Sequence, residues 1–352
     1  MKKHALALAL IGAVPALALA EGPTLYGKIN VTLDSVSTDT GAPATSTDVW
    51  SLNSNASRIG VKGDAETGIQ GLKGLYYAEF GIKADDGVGP FTQRNIYAGL
   101  KADVGTLRLG KIDSPLKDSQ GKVDQFNDLA ADIQNLGPGE SRVDNLVYYS
   151  SPKLADALTV NLAFAPGEGR DLDNADNDAN TGTDVEDGIA DYLSASLVYE
   201  KDALYAALAI AQNNSGSGNN DGYVDIDGAT ANTQSVADIV RLTVTWKADA
   251  FEVGALYQTS EDVGDTTAPT GEDALWLVSG AYKNDKWKFK AQAGANEGDA
   301  SGRERTLTAI GADYAVGKAT TLFGYWASVE NDPVAATRPE TTTIALGIDQ
   351  KF

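Results

Sequence analysis

The sequence predicts an all-β chain, a 16-stranded antiparallel transmembrane β-barrel whose third long loop folds into the lumen. Three observations predict this fold. Apolar and polar residues alternate with a period of two in one segment after another, which is typical of strands with one apolar face. Short turns and long polar loops alternate between these segments. The chain also ends in a strand whose last residue is Phe352, and pairing this strand with the first one would remove both edges of the sheet.

The first 20 residues form a separate segment. Lys2 and Lys3 precede an apolar run, Ala5–Ala16, and small residues lead up to Ala20. This order is that of a secretory signal peptide cleaved after Ala20. We therefore expect residues 1–20 to be a signal peptide and residues 21–352 to form the barrel. An N-terminal anchor helix is the alternative.

The composition of residues 21–352 excludes several kinds of catalysis. The chain has no Cys, and its single His is His4, inside the predicted signal peptide. A Ser-His-Asp triad, a Cys-His pair and an ordinary zinc site are therefore ruled out. We expect no cofactor, no metal and no enzymatic activity. The net charge of −21 becomes −23 without Lys2 and Lys3, and a chain this acidic binds nucleic acid poorly.

Sixteen segments carry the strand pattern. They are residues 24–34, 58–62, 72–83, 96–100, 106–110, 143–150, 157–165, 190–200, 203–213, 236–248, 250–260, 273–284, 286–296, 305–316, 319–330 and 341–352. One face of most segments is nearly free of charge: Trp287 and Phe289, for example, alternate with Lys288 and Lys290. A cation on the lipid face of a barrel costs about 2–4 kcal/mol, so the pattern suits a membrane. Aromatic residues such as Trp246 beside short turns fit an interfacial girdle.

The connections differ in length at the two ends of the strands. Short turns occupy residues 102–105, 201–202, 248–249, 284–285 and 317–318. Long polar loops occupy residues 35–49, 112–141, 166–189, 214–235, 262–272, 297–304 and 331–340, and residues 84–90 form a further loop between the first two of these. A soluble sandwich mixes its loop lengths without this order.

The third long loop, residues 112–141, has no strand pattern, and long segments of this kind are usually functional or disordered. Its apolar residues recur every three or four positions, which predicts a short helix near Asp124–Asn135. Asp124, Asp128 and Asp132 would lie on one face of that helix. The surrounding strands offer arginines at polar positions: Arg58, Arg94, Arg108 and Arg142. We expect the loop to pack inside the barrel and to set a charged constriction.

Short motifs in a fixed order carry a resemblance to a known family. They are Gly22–Lys28, Arg58–Gly63, Gly105–Lys111, Ser114–Asp118, Arg142–Asn145 followed by Tyr148 and Ser151-Pro152, Gly311–Tyr314 and Gly347–Phe352. With this order and spacing, the chain resembles the general diffusion porins of Gram-negative outer membranes, in the branch that includes the neisserial porins. The resemblance covers the whole chain after the signal peptide.

The resemblance implies passive passage of small hydrophilic solutes and ions through a water-filled pore. It implies a homotrimer in the outer membrane of a Gram-negative bacterium, surrounded by outer-membrane lipid. By position only, it implies a constriction with acids on the loop, Asp113, Asp124 and Asp128, and bases on the wall, Arg58, Arg94, Arg108 and Arg142, with Lys28 and Lys73 as further candidates. Phe352 would close the barrel. The net charge argues for a preference for cations, although most of it lies in the external loops.

Two other functions stay open. One is a substrate-selective channel for phosphate or a sugar, whose mark is a ladder of lysines or a slide of aromatic residues along the lumen. The other is a secreted soluble β-protein that binds carbohydrate through acidic loops. Paired acids such as Glu186 and Asp187 could also suggest a glycosidase, although adjacent acids in a polar loop are usually solvated.

The loop Arg170–Gly188 is strongly acidic. Four of its side chains have roughly the spacing of a calcium-binding loop: Asp176, Asp178, Asn180 and Asp187. Thr181 stands where such a loop needs Gly, and no flanking helices are evident. A solvated acidic loop is therefore the preferred interpretation, and calcium binding is the alternative.

Overall fold

The computed structural model describes residues 22–39, 46–86, 89, 91–168, 170–171, 185–186, 188–215, 236–262, 272–298, 304–332 and 339–352. The predicted signal peptide and its cleavage site at Ala20 lie outside these residues, so this boundary stays a prediction. The candidate calcium ligands, among them Asp187 of the acid pair, also fall outside them. No helix in the described part of the chain is long and apolar enough to cross a membrane.

Sixteen barrel strands lie within the described residues. They are β1 (Thr24–Asp39), β2 (in two segments, Ser46–Ser54 and Arg58–Glu66), β3 (Lys73–Ile82), β4 (Phe91–Ala102), β5 (Gly105–Asp113), β6 (Arg142–Ser150), β7 (Leu158–Ala165), β8 (Tyr192–Lys201), β9 (Leu204–Ser215), β10 (Val236–Ala248), β11 (Phe251–Asp262), β12 (Glu272–Asn284), β13 (Trp287–Gly298), β14 (Glu304–Ala315), β15 (Thr320–Asp332) and β16 (Glu340–Lys351). Two short helical elements, α1 (Pro115–Asp118) and a 3-10 turn (Ile133–Asn135), lie between β5 and β6. Arg170–Asp171 and Val185–Glu186 form a separate two-stranded pair between β7 and β8.

Closure of the sheet joins the first strand to the last. Each strand pairs antiparallel with the next one, and β1 pairs with β16 from Lys28–Lys351 to Asp39–Glu340. Phe352 extends this ladder: the N–H of Gly27 donates to its carbonyl at 2.9 Å, and its own N–H donates to the carbonyl of Gly27 at 3.1 Å. The predicted 16-stranded antiparallel barrel is confirmed.

The first two strands are longer than predicted, so the long loop expected at residues 35–49 is wrong. β1 continues to Asp39 and β2 begins at Ser46, and these two residues lie opposite each other in the ladder. Ser and Thr fill much of this stretch, so it lacks the apolar alternation that marks a strand, although its β-branched residues still favour extended backbone. β2 is then interrupted at residues 55–57, where Ala56 has a left-handed φ of 46°.

Side chains alternate between an exposed apolar face and a second face, which we call the polar face. In β10, Val240, Leu242 and Val244 are exposed, whereas Arg241 and Thr243 are fully buried. An apolar band of this kind around a closed barrel requires lipid as its solvent. It is inconsistent with a secreted soluble β-protein.

Aromatic residues of the apolar face meet at the short-turn ends of the strands. The ring centroids of Phe251 and Tyr282 are 4.9 Å apart, and those of Trp287 and Tyr314 are 4.8 Å apart. These four residues come from neighbouring strands, β11–β14. Amphipathic rings at this height fit the interfacial girdle of a membrane barrel.

Deletion of Phe352 should impair closure, because it removes both backbone bonds to Gly27 and leaves the ends of β1 and β16 partly unpaired. We expect a smaller folded fraction after refolding in detergent, measured by the different electrophoretic migration of folded and unfolded barrels. Phe352→Tyr keeps the backbone bonds and the ring, so it should fold like the native chain. Equal folding of the deletion and of Phe352→Tyr would refute the closing role.

Candidate pore constriction

The segment Ser114–Ser141, called here the long loop, leaves the barrel after β5 and returns at β6. Ser114 begins α1, and its hydroxyl accepts the N–H of Lys117 at 3.1 Å. The helix predicted near Asp124–Asn135 is wrong, because only a 3-10 turn forms there. The carboxylates of Asp124 and Asp132 instead accept hydrogen bonds from backbone N–H groups of the loop. Such local bonds from Asp commonly compete with helix formation.

Apolar side chains of the long loop form a core with the polar face of the barrel. Val123, Phe126, Ile133 and Leu136 are all buried. They pack with wall residues of β11, β12 and β14, namely Leu256, Leu275, Leu277, Leu307 and Ala309. The apolar residues spaced three to four positions apart are therefore buried together, as the pattern predicts, but they belong to an irregular loop and not to a helix. Fully burying four side chains of this size is favourable by roughly 1.5–3 kcal/mol each.

Side chains from the same wall bind the backbone of the long loop. Gln258 donates to the carbonyl of Pro138 at 2.9 Å, Gln292 to that of Ala131 at 2.6 Å, Asn296 to that of Leu136 at 3.1 Å and Arg305 to that of Asn135 at 3.1 Å. A loop without regular structure needs such partners, because buried backbone groups must be paired. These bonds join the long loop to β11, β13 and β14.

Arg241 of β10 makes the most extensive contact with the long loop. Its guanidinium is fully buried and lies 2.8 Å from the carboxylate of Glu140. It also donates to the carbonyls of Leu116 and Pro138 at 3.3 and 3.4 Å, and to the side chain of Gln258 at 2.8 Å. One side chain thus holds both ends of the long loop. Nothing in the sequence distinguishes Arg241 from other polar strand positions, because its partner Glu140 is 101 residues away.

The opposite wall carries a second charged cluster, centred on Glu79 of β3. Arg94 lies 2.7 Å from this carboxylate and Arg58 lies 3.7 Å from it. The hydroxyls of Tyr26 and Tyr77 donate to it at 3.0 and 3.2 Å. Glu79 was missed by the sequence analysis, and it neutralises part of the basic wall.

Two acids of the predicted set meet this wall. Asp128 of the long loop lies 3.0 Å from the ammonium of Lys28 and 3.6 Å from Arg58. Asp113, at the end of β5, lies 2.9 Å from Arg142 and 3.6 Å from Lys117. A cavity of about 860 Å³ separates the long loop from this wall. Five of the predicted residues line it: Arg58, Arg94, Arg142, Asp113 and Asp128.

The other predicted residues lie elsewhere. Arg108 is stacked 3.9 Å from the ring centroid of Tyr148 and donates to Ser150, so it does not line the cavity. Asp124 points into the long loop and accepts backbone N–H groups there. Lys73 pairs with Glu66 beside a short turn.

Two carboxyls of the long loop are close and poorly solvated. Burial raises the pKa of Asp124 to about 6, although bonds from the N–H groups of Phe126 and Ile133 oppose the shift. Burial and the nearby Asp124 raise the pKa of Asp132 well above its usual value. A raised carboxyl pKa means that the folded loop favours the protonated form. Loop stability should therefore increase as pH falls through about 6 toward the ordinary value of 3.8.

A family model described as Gram-negative porin matches residues 5–333 of the chain. The chain belongs to this family. The porin is similar to major outer membrane protein P.IB of Neisseria meningitidis, with 29% identity over 239 residues that span 60% of the porin and 70% of that protein. It is therefore an outer-membrane diffusion channel of a Gram-negative bacterium.

Solved structures share the fold of the porin. The anion-selective porin from Comamonas acidovorans aligns with a TM-score of 0.72 at 19% identity, over 94% of this porin and 99% of that chain. The Vibrio cholerae outer membrane protein OmpT, in its trimer form, aligns with a TM-score of 0.63 at 16% identity, over 94% and 99% of the two chains. The long loop and the charged cavity therefore belong to a barrel of known architecture.

Arg241→Met should loosen the long loop while the barrel stays closed. The substitution leaves Glu140 buried without its partner, and breaking a buried ion pair in this way costs about 3–5 kcal/mol. We expect more current noise and partial closures in single-channel recordings. Arg305→Met, which removes one bond to the loop, should have a smaller effect. An Arg241→Met channel with no more current noise than the native channel would contradict the anchoring role. The double variant Arg241→Met with Glu140→Met leaves no unpaired buried charge, so its recordings should be closer to those of the native channel.

Acidification from pH 7 to pH 5 should increase the protection of the long loop. The raised pKa values of Asp124 and Asp132 favour the folded loop when these groups are protonated. Amide hydrogen exchange at Phe126 and Ile133, corrected for the intrinsic pH dependence, is the measurement. Faster corrected exchange at pH 5 would reverse the expected sign.

Proposed function

We propose that the long loop lies in the barrel lumen and that solutes pass between it and the wall formed by β1–β6. The observation that carries this proposal is that the long loop contacts the two sides of the barrel differently. Apolar packing and backbone hydrogen bonds attach the loop to β10–β14, whereas the cavity of about 860 Å³ and its charges lie toward β2, β4 and β6. The polar face is then the lumen wall, and the apolar face meets outer-membrane lipid.

Opposed charges give the constriction its selectivity for polar solutes. Asp113 and Asp128 line the cavity together with Arg58, Arg94 and Arg142, with Asp113 2.9 Å from Arg142 and Asp128 3.6 Å from Arg58. A field across the gap orders water and favours solutes that exchange hydration for contacts with these side chains, whereas an apolar solute gains nothing in return. The porin thus supports passive diffusion of small hydrophilic solutes and ions, without catalysis.

The local charge balance favours anions. The cavity is lined by the bases Arg58, Arg94, Arg142, Lys117 and Lys122 and by the acids Asp113, Asp118, Asp128, Asp132 and Glu140. Arg241 neutralises Glu140, and Asp132 is bonded within the loop with a raised pKa. Glu79 neutralises Arg94, and the other charged groups that line the cavity then have a slight excess of positive charge.

The positive charge of the cavity lining is opposite in sign to the net charge of −21 for the whole chain. Charges in distant loops are screened over a Debye length of about 8 Å at physiological salt, so the lining groups dominate. The structurally similar Comamonas porin is named as anion-selective, which supports the same preference here. We propose a homotrimer for this porin, by analogy with the trimer form of Vibrio OmpT.

A sugar channel is less well supported. Tyr26, Tyr77 and Tyr97 lie on β1, β3 and β4, and such a row of aromatic residues is what a sugar channel would show. However, the rings of Tyr77 and Tyr97 stack on each other with centroids 5.1 Å apart and planes 1° from parallel. Their facing surfaces are therefore not available to a sugar ring, and their interactions stabilise the wall instead.

Arg58→Gln should shift the selectivity toward cations. Arg58 has the longest ion pairs of the cluster, at 3.6 and 3.7 Å, so its charge is the least neutralised. A unit charge beside a narrow aqueous path changes the local anion concentration about twofold under screening. The measurement is the reversal potential in a salt gradient. Arg108→Gln removes an equal charge outside the cavity, and a larger shift for it than for Arg58→Gln would contradict the assignment.

The proposal as a whole is tested by single-channel recording of the refolded porin in planar bilayers. We expect open steps in groups of three and a reversal potential with the sign of anion preference. A reversal potential with the sign of cation preference would show that the acids of the loop dominate the selectivity. Folded protein without conductance would refute the open pore.

A further inference from the structure

Lysines collect on the polar face at the short-turn end of the barrel, away from the constriction. They come from β10, β12 and β13: Lys247, Lys283, Lys288 and Lys290. Each alternates with exposed apolar neighbours such as Trp246, Tyr282 and Phe289, which assigns it to the opposite face of its strand. With the polar face as the lumen wall, these ammonium groups line one mouth of the pore.

Two of these lysines are placed directly against each other. Lys283 and Lys288 are register partners on β12 and β13. Like charges in that position destabilise a sheet. Within the described residues neither lysine forms an ion pair, whereas Lys290 lies 3.0 Å from Asp313 and Lys247 lies 3.9 Å from Glu252. Glu252 and Asp313 attract the ammonium of Lys288, but they are already paired with Lys247 and Lys290, whose charges repel it.

A second cavity, of about 320 Å³, lies at these lysines. Lys283, Lys286 and Lys288 line it together with the paired Lys247 and Glu252. The remaining acids of its lining are Asp249, in a short turn, and Asp313, which is paired with Lys290. Several ammonium groups converging on one space give charge-assisted hydrogen bonds to an anion with several oxygens. Chloride, with a single charge, gains less from such a site.

The cavity adjoins the underside of the long loop. The ammonium of Lys290 lies 4.7 Å from the ring centroid of Phe126, and the side-chain amide of Gln125 donates to Glu252 at 3.1 Å. An anion that has passed the constriction therefore meets these lysines next. Lys283 and Lys288 belong to the polar face, whereas Phe251 and Trp287 of the apolar face line the outer side of the cavity.

We propose that Lys283 and Lys288, with Lys286, form a binding site for phosphate-class anions at the short-turn mouth of the pore. This inference rests on the proposed function, in which anions permeate the lumen. Such a site retains phosphate, pyrophosphate or a small phosphorylated solute after the constriction. Conduction requires binding that is strong enough to attract the solute and weak enough to release it.

The test is calorimetric titration of the detergent-solubilised porin with pyrophosphate. Lys283→Gln with Lys288→Gln should weaken binding about tenfold, because two charges are removed from the site. Lys73→Gln is the matched control, since Lys73 also lies beside a short turn but already pairs with Glu66. It should bind like the native chain. Identical isotherms for the native chain and the double variant, or equal loss in the control, would overturn the proposal.

Thermal unfolding provides a second readout that does not depend on conduction. Pyrophosphate should raise the midpoint of the native chain more than that of the double variant. A midpoint raised equally in both would overturn the site. A cation-selective reversal potential with these binding results intact would instead refute the proposed anion preference alone.

Discussion

The buried ion pair between Arg241 and Glu140 is the interaction on which the position of the long loop depends. Arg241 also holds the carbonyls of Leu116 and Pro138, so one guanidinium joins the outgoing and returning ends of the loop to β10. Two charges without solvent are costly unless every donor and acceptor is used. The Nε, Nη1 and Nη2 groups of Arg241 each donate a hydrogen bond, whereas Oε2 of Glu140 has no hydrogen-bond partner among the described residues. These contacts specify one location for the loop.

That location divides the polar face of the barrel into two walls with different chemistry. β11–β14 present leucines and side-chain amides, which suit an apolar core and backbone hydrogen bonds with the loop. β1–β6 present arginines, lysines and carboxylates, which suit contact with water. In the proposed arrangement, with the loop inside the lumen, the open path is eccentric, and its charges are those of one wall and one edge of the loop. Overall charge says little about such a path, because screening confines each charge to its neighbourhood.

Particular residues explain where the sequence analysis succeeded and where it failed. Arg58, Arg94 and Arg142 were recognised as lumen candidates because polar positions of a barrel strand face inward. Asp124 was misjudged because a helical spacing was assumed, whereas its carboxylate accepts two N–H groups of an irregular loop. Glu79 escaped notice because nothing in its strand distinguishes it from other polar positions. The extension of β1 to Asp39 was missed because Ser and Thr carry no apolar alternation.

The barrel could be predicted from the sequence, because the face that a strand presents to lipid is a local property that can be read from every second residue. The length and apolar spacing of the long loop also distinguished it from the other loops. Which charges meet, in contrast, depends on how distant segments pack together. Lys28 and Asp128 are 100 residues apart in the chain, and Arg241 and Glu140 are 101 apart. Their contacts follow from closure of the sheet and from packing of the loop against one wall, and no local pattern encodes either distance.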